Sequence, residues 1–212
     1  MKVEFFHSVL CGHCFIMSNR IRKIVNNYPE IEIIHRSYPL RWDHSKDKQL
    51  FENDEAFKAD NLRKWELANK IDEEHRFNIE GLKNMSFDMP TARRSMIAIQ
   101  AGVLAGGNKW DLFDRFQHAL YVDIRNIEDE DVIAEIVIEA GIDFSEFLLY
   151  YEDPKTEQKV VSDFDLADQY GLTLVPAMVV EGKHIIEETK RKDLALDLLK
   201  EAAEAEGYTF LN

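Results

Sequence analysis

The sequence predicts an α/β fold in which a β-α-β start and an α-β-β-α finish enclose a large all-helical insertion. Three observations carry that prediction. "MKVEFFHSV" alternates like a strand and soon gives way to a helical stripe. From about Trp42 to Asp153 the β-branched alternation disappears and amphipathic helices replace it. Beyond Asp153 the mixed texture returns, around "LTLVPAMVV".

Taken in order, Val3, Phe5 and Val9 fall on one side of an extended segment, with Glu4 and Phe6 on the other. Met17, Ile21, Ile24, Val25 and Tyr28 then recur at helical spacing, and Pro29 stops the helix. "IEIIHRSYPL", residues 31–40, reads as a second strand. A helix between two strands makes a βαβ unit, whose strands run parallel. The insertion reads as "DEAFKADNLRKWELANKI", then "MPTARRSMIAIQAGVLAGG" with Pro90 in the first turn and Gly106-Gly107 as the stop. "KWDLFDRFQHALYV" follows, then "EDEDVIAEIVIEAG" with acids in its first turn, and a short "DFSEFLLYYED". The finish is a helix "KTEQKVVSDFDLADQYG", two strands joined at Glu181-Gly182-Lys183, and a helix "RKDLALDLLKEAAEAEG". This divides the chain into residues 1–42 with 154–212 as one domain, and residues 43–153 as the inserted helical domain.

Bulk properties exclude several function classes. A hydrophobic content of 45% among 212 residues supports a sizeable core rather than disorder. A net charge of -14 argues against a general phosphate-binding surface, so nucleic acid is not an expected partner. No apolar run approaches the ~20 residues of a membrane span. With Met1 as the native start there is no leader pattern, and the expected location is the cytoplasm. The sequon Asn84-Met85-Ser86 has no meaning there.

Cys11 and Cys14 are the only cysteines, and they sit where the first strand hands over to the first helix. In a reducing compartment such a pair argues for catalysis or metal binding rather than a structural staple. A redox pair needs one cysteine at an exposed helix N-terminus, where free N–H groups and the helix dipole stabilise a thiolate. Cys11 falls there, and Cys14 lies one turn further in. Between them, Gly12-His13 places an imidazole donor beside the first sulfur, which favours the reduced state and makes the disulfide more oxidising. Pro176 inside an apolar run marks a strand start, an edge or a bulge. His7, Cys11, His13 and Cys14 do not show the two separated ligand pairs of structural zinc sites, so no metal is expected. His35, His44, His75, His118 and His184 are expected on surfaces or in satisfied contacts. "GVLAGGNK" lacks the Lys-Ser/Thr ending of a phosphate loop and follows a helix. Trp42, Trp65 and Trp110 read as core or groove residues.

"VEFFHSVLCGHC", the helical insertion and "GLTLVPAMVVEGK" together resemble the DsbA-like branch of the thioredoxin superfamily, and within it the FrnE-like group. "MPTARRSMIAIQAG" and "IEDEDVIAEIVIEAGID" extend the resemblance across the insertion. It implies a thioredoxin fold and a thiol–disulfide oxidoreductase. Cys11 would be the nucleophile, Cys14 the resolving cysteine and Gly12-His13 the tuning dipeptide. Val175-Pro176 would form a cis-proline loop facing the thiols, where backbone pairs with substrate. The implied partners are protein or peptide thiols and disulfides, with glutathione as a further candidate, in a groove beside the insertion. No cofactor is required. The Cys-Gly-His-Cys dipeptide is that of disulfide isomerases, which leaves the direction of electron flow open. The buried acid common six residues before the first cysteine is Phe5 here, and Glu4 is one residue earlier. Two other classes share the architecture: glutathione-dependent isomerases of the kappa and 2-hydroxychromene-2-carboxylate type, and redox-sensing adaptors of the YjbH type.

Overall fold

The computed structural model describes residues 1–43, 54–187 and 192–208. His44, the strand end expected at Glu188 and the helix start expected at Arg191 lie outside the described residues. The chain begins with β1 (Lys2–His7), α1 (Gly12–Asn27) and β2 (Glu32–Ser37). Six helices follow: α2 (Asp54–Ile71), α3 (Ile79–Lys83), α4 (Arg93–Leu104), α5 (Lys109–Tyr121), α6 (Glu130–Glu139) and α7 (Phe144–Tyr151). The finish is α8 (Pro154–Gln169), β3 (Ala177–Val180), β4 (His184–Glu187) and α9 (Lys192–Ala205). This is a thioredoxin fold carrying a helical insertion after its second strand.

The sheet order is β2-β1-β3-β4. β1 and β2 run parallel, from Lys2 opposite Glu32 to His7 opposite Ser37. β3 lies antiparallel to β1, Val3 facing Val180 and Phe6 facing Ala177. β4 closes a hairpin in which Glu181 and Gly182 take φ of 50° and 68°, the positive values a type I′ turn demands. Strand alternation splits the core into two faces. Val3 and Phe5 join one cluster with Cys11, Cys14, α1 and the insertion. Phe6 joins the other with Ala167, Leu172 and Val179, beneath α8.

Local capping explains most helix boundaries. Asn108, Asp129, Asp143 and Asp153 each cap a helix by accepting a backbone N–H in its first turn. The stop at "AGG" works through Gly106, at φ 91°, while the Gly107 N–H returns to the Gly102 carbonyl at 2.8 Å. A Cβ at Gly102 or Gly107 would stand 2.7 Å from Leu112 or 2.5 Å from Ile142, so these glycines serve helix packing. The start of α4 differs from the expectation. Pro90 lies ahead of the helix, which is capped at Ala92. The Arg41 guanidinium takes up the Met89 and Pro90 carbonyls, and the Ala92 N–H donates to the Arg41 carbonyl at 2.9 Å, tying this stretch to Arg41 ahead of the helix. The five-residue α3 was not expected, because it is shorter than two turns of any apolar stripe; Asn78 caps it through the Gly81 N–H.

Candidate functional site

The site forms where β1 ends and α1 begins. Cys11 is the N-cap residue of α1, with extended φ and ψ, and its sulfur accepts the Cys14 N–H at 3.1 Å. That bond brings a first-turn N–H of the helix to the sulfur. Across the gap, the peptide bond before Pro176 is cis, and the Cys11 thiol donates to the Val175 carbonyl at 3.5 Å. β3 starts immediately after the proline, so the ring removes no ladder donor.

Both cysteines are free thiols. They differ in access: Cys11 is 6% exposed and Cys14 fully buried. Burial above all, then the neighbouring Cys11, pushes the Cys14 thiol well above its ordinary range, while the Ser8 backbone pulls the other way. The pair therefore has one reachable sulfur and one held protonated behind it. His13 stands half-buried in the first turn of α1.

The insertion packs directly on this turn. A Cβ on Gly12 would sit 3.2 Å from the Phe77 ring and 3.3 Å from Trp65. Phe15 meets Phe77 edge-on at 5.3 Å and Tyr121 at 5.6 Å, and the Arg76 guanidinium covers its other side at 4.1 Å. Burial first, then Cys11 and Cys14, push the Tyr121 hydroxyl well above its ordinary range, while Trp65 pulls the other way. Gln117, fully buried on α5, points its amide nitrogen at the Cys11 carbonyl at 3.1 Å. Gln117 and Tyr121 carried a faint signal: with Phe113 and Leu120 they sit at i, i+4, i+7 and i+8 of one apolar stripe. A polar side chain in such a stripe marks a buried contact.

Glu4 is turned to the other face of the sheet. It binds Arg36 at 2.7 Å and accepts from the Tyr170 hydroxyl at 2.7 Å. Arg36 also reaches Asp163 of α8 at 3.1 Å, and Lys109 approaches that carboxylate at 3.7 Å. Phe5, with Val3, is on the β1 face that joins the cysteine cluster. His35 corrects the expectation for the scattered histidines. It is buried, its Nδ1 meets His7 Nε2 at 2.9 Å, and its Nε2 has no partner. That contact commits His7 to its neighbour. Among the described residues no three His, Cys, Asp or Glu side chains are arranged to hold a metal. No described helix is long and apolar enough to cross a membrane.

The fold is shared with known proteins. The family model of the DSBA-like thioredoxin domain matches residues 2–200, and the chain belongs to that family. The fold is similar to a candidate protein disulfide isomerase of Nitrosomonas europaea, at 16% identity and TM-score 0.78, over 97% of this chain and 98% of that one. It is also similar to the cytosolic disulfide reductase DsbM of Pseudomonas aeruginosa, at 14% identity and TM-score 0.73, over 98% of each chain; DsbM has been solved with GSH as well. A 2-hydroxychromene-2-carboxylate isomerase matches at 13% identity and TM-score 0.67, over 98% of each chain. Among curated protein sequences, none matches the chain.

Proposed function

We propose that this protein is a thiol–disulfide oxidoreductase of the FrnE-like kind, exchanging disulfides through Cys11. The observation that carries this is the asymmetry of the pair: a capping sulfur facing the Val175 carbonyl, and a buried, protonated partner one turn behind it. The Cys11 thiolate attacks one sulfur of a substrate disulfide. A new S–S bond forms, the old one breaks, and the leaving sulfur departs as a thiolate that takes a proton. Cys14 then gives up its proton and attacks the Cys11 sulfur. This releases the second substrate thiol and leaves a Cys11–Cys14 disulfide, which two electrons from another thiol pair reduce again. Run backwards, the same steps oxidise a dithiol, and His13 tunes the balance.

The substrates are protein or peptide thiols and disulfides, positioned by the backbone at Val175-Pro176. Glutathione is a fitting reductant, supported by the GSH complex of the similar DsbM. The proposed location is the cytoplasm, as described for that protein. A glutathione-dependent isomerase is the second reading, favoured by the similarity to the 2-hydroxychromene-2-carboxylate isomerase. The intact Cys14 behind Cys11 supports exchange instead.

Trapping tests the reading. With Cys14→Ser, incubation with oxidised glutathione or a disulfide peptide should accumulate a mixed disulfide on Cys11, identified by mass. Cys11→Ser should trap nothing. Normal turnover by Cys14→Ser, or adducts on Cys14 in the Cys11→Ser protein, would reverse or remove the assigned roles.

A further inference from the structure

We propose that Gln117 is a positioning residue for the cysteine pair, holding the Ser8–Cys11 turn so that the Cys14 N–H serves the Cys11 sulfur. The proposal rests on Cys11 being the exchanging thiol. Gln117 reaches in from α5 of the insertion, and its Nε2 lies 3.1 Å from the Cys11 carbonyl, 3.3 Å from Val9 and 3.4 Å from Ser8. Three carbonyl acceptors fix the amide's orientation, since a flipped amide would set its oxygen against all of them. The price is a buried Oε1 with no partner. An apolar side chain of the same shape would leave no such orphan on α5, so the amide's presence points to a task at the turn.

That task follows from how donors are shared. The Cys14 N–H stands 2.9 Å from the Cys11 carbonyl and 3.1 Å from the Cys11 sulfur, so the two acceptors compete for it. The same carbonyl also takes the Phe15 N–H at 3.2 Å. With the Gln117 amide added, the carbonyl is well supplied, and the Cys14 N–H is left for the sulfur. Removing Gln117 tips that N–H toward the carbonyl and strips a hydrogen bond from the thiolate. The reduced protein is then less favoured.

The test is the equilibrium constant with glutathione, read together with the rate of Cys11 alkylation at neutral pH. The proteins compared are wild type, Gln117→Met, Gln117→Asn and Asp114→Asn. Gln117→Met keeps the shape and loses the donor. Gln117→Asn withdraws the amide by one methylene and carries the same expectation should the Met variant fail to fold. Asp114 lies one turn away on α5 and joins it to α1 through Ser18 at 2.5 Å and Arg22 at 2.7 Å, without touching the turn. Both Gln117 variants should shift the equilibrium toward the protein disulfide by three- to tenfold, tenfold being about 30 mV, and slow alkylation in step. Asp114→Asn should shift neither. Unchanged values in the Gln117 variants, or an equal shift in Asp114→Asn, would overturn the proposal while exchange by the wild type stands. A wild type that exchanges nothing would overturn the proposed function, and this proposal with it.

Discussion

Lowering the pH should destabilise this protein through one buried pair of imidazoles. His7 and His35 meet at 2.9 Å between β1 and β2, with the His7 ring centred 3.8 Å from that of Phe113. Burial first, then Lys109 and Arg22, lower the His35 pKa from 6.5 to about 3. Burial first, then His35 and Lys109, drive His7 in the same direction. The unfolded chain therefore binds protons that the native state refuses. The stabilising contribution is complete above the unfolded value of 6.5 and is lost as the pH falls toward 3. Between pH 6.5, where the unfolded imidazole is half protonated, and pH 4.5, His35 alone accounts for a loss of about 2 kcal/mol, and His7 adds to it. Urea unfolding of the wild type and of a His7→Phe/His35→Leu protein at both pH values isolates this, because the carboxylates are common to both. The wild type should lose at least about 2 kcal/mol more than the variant over that interval, the His35 share alone. Equal losses would refute the reasoning.

Two further outcomes follow from packing. Arg36→Met leaves Glu4 of β1 and Asp163 of α8 without their shared cation. Because the guanidinium is partly open, the expected destabilisation is roughly 2–4 kcal/mol by urea unfolding, with the smaller end for a more hydrated site. Gly12→Val pushes methyl groups into Phe77 and Trp65, already 3.2 and 3.3 Å from a Cβ position. It should lose about 1–3 kcal/mol. On a Phe77→Ala background the added loss from Gly12→Val should be smaller than on the wild type, and strict additivity would show that the two residues do not meet.

The sequence was most readable where one local pattern decided the structure. Alternation in "MKVEFFHSV" placed Phe5 and Glu4 on opposite faces of the sheet, as found. The stripe ending at Tyr28 and Pro29 put Cys11 at a helix start. The acids of "EDED" marked a helix start without any tertiary help, and there Asp129 caps α6. What stayed hidden depends on contacts between distant segments. Nothing local tells that Arg41 holds the stretch around Pro90 outside a helix, or that His35 turns inward to His7. The wall of the site is the clearest case. Trp65, Phe77, Gln117 and Tyr121 come from three parts of the insertion and converge on Gly12, Phe15 and Cys11 only once α2 and α5 pack on α1. Apart from Gln117, whose place in an apolar stripe hints at a buried contact, their residue types are ordinary for a core, so composition and spacing cannot separate wall from filling.

Equilibrating the purified protein across glutathione redox buffers, with free thiols counted by alkylation and mass, reads the chemistry of the pair itself. Cys11 and Cys14 should be lost together and reversibly, with a midpoint between roughly -120 and -270 mV. A value toward the oxidising end would mark oxidase or isomerase work, and one toward the reducing end a reductase. Two thiols that persist at every buffer ratio would contradict a redox role for Cys11 and Cys14.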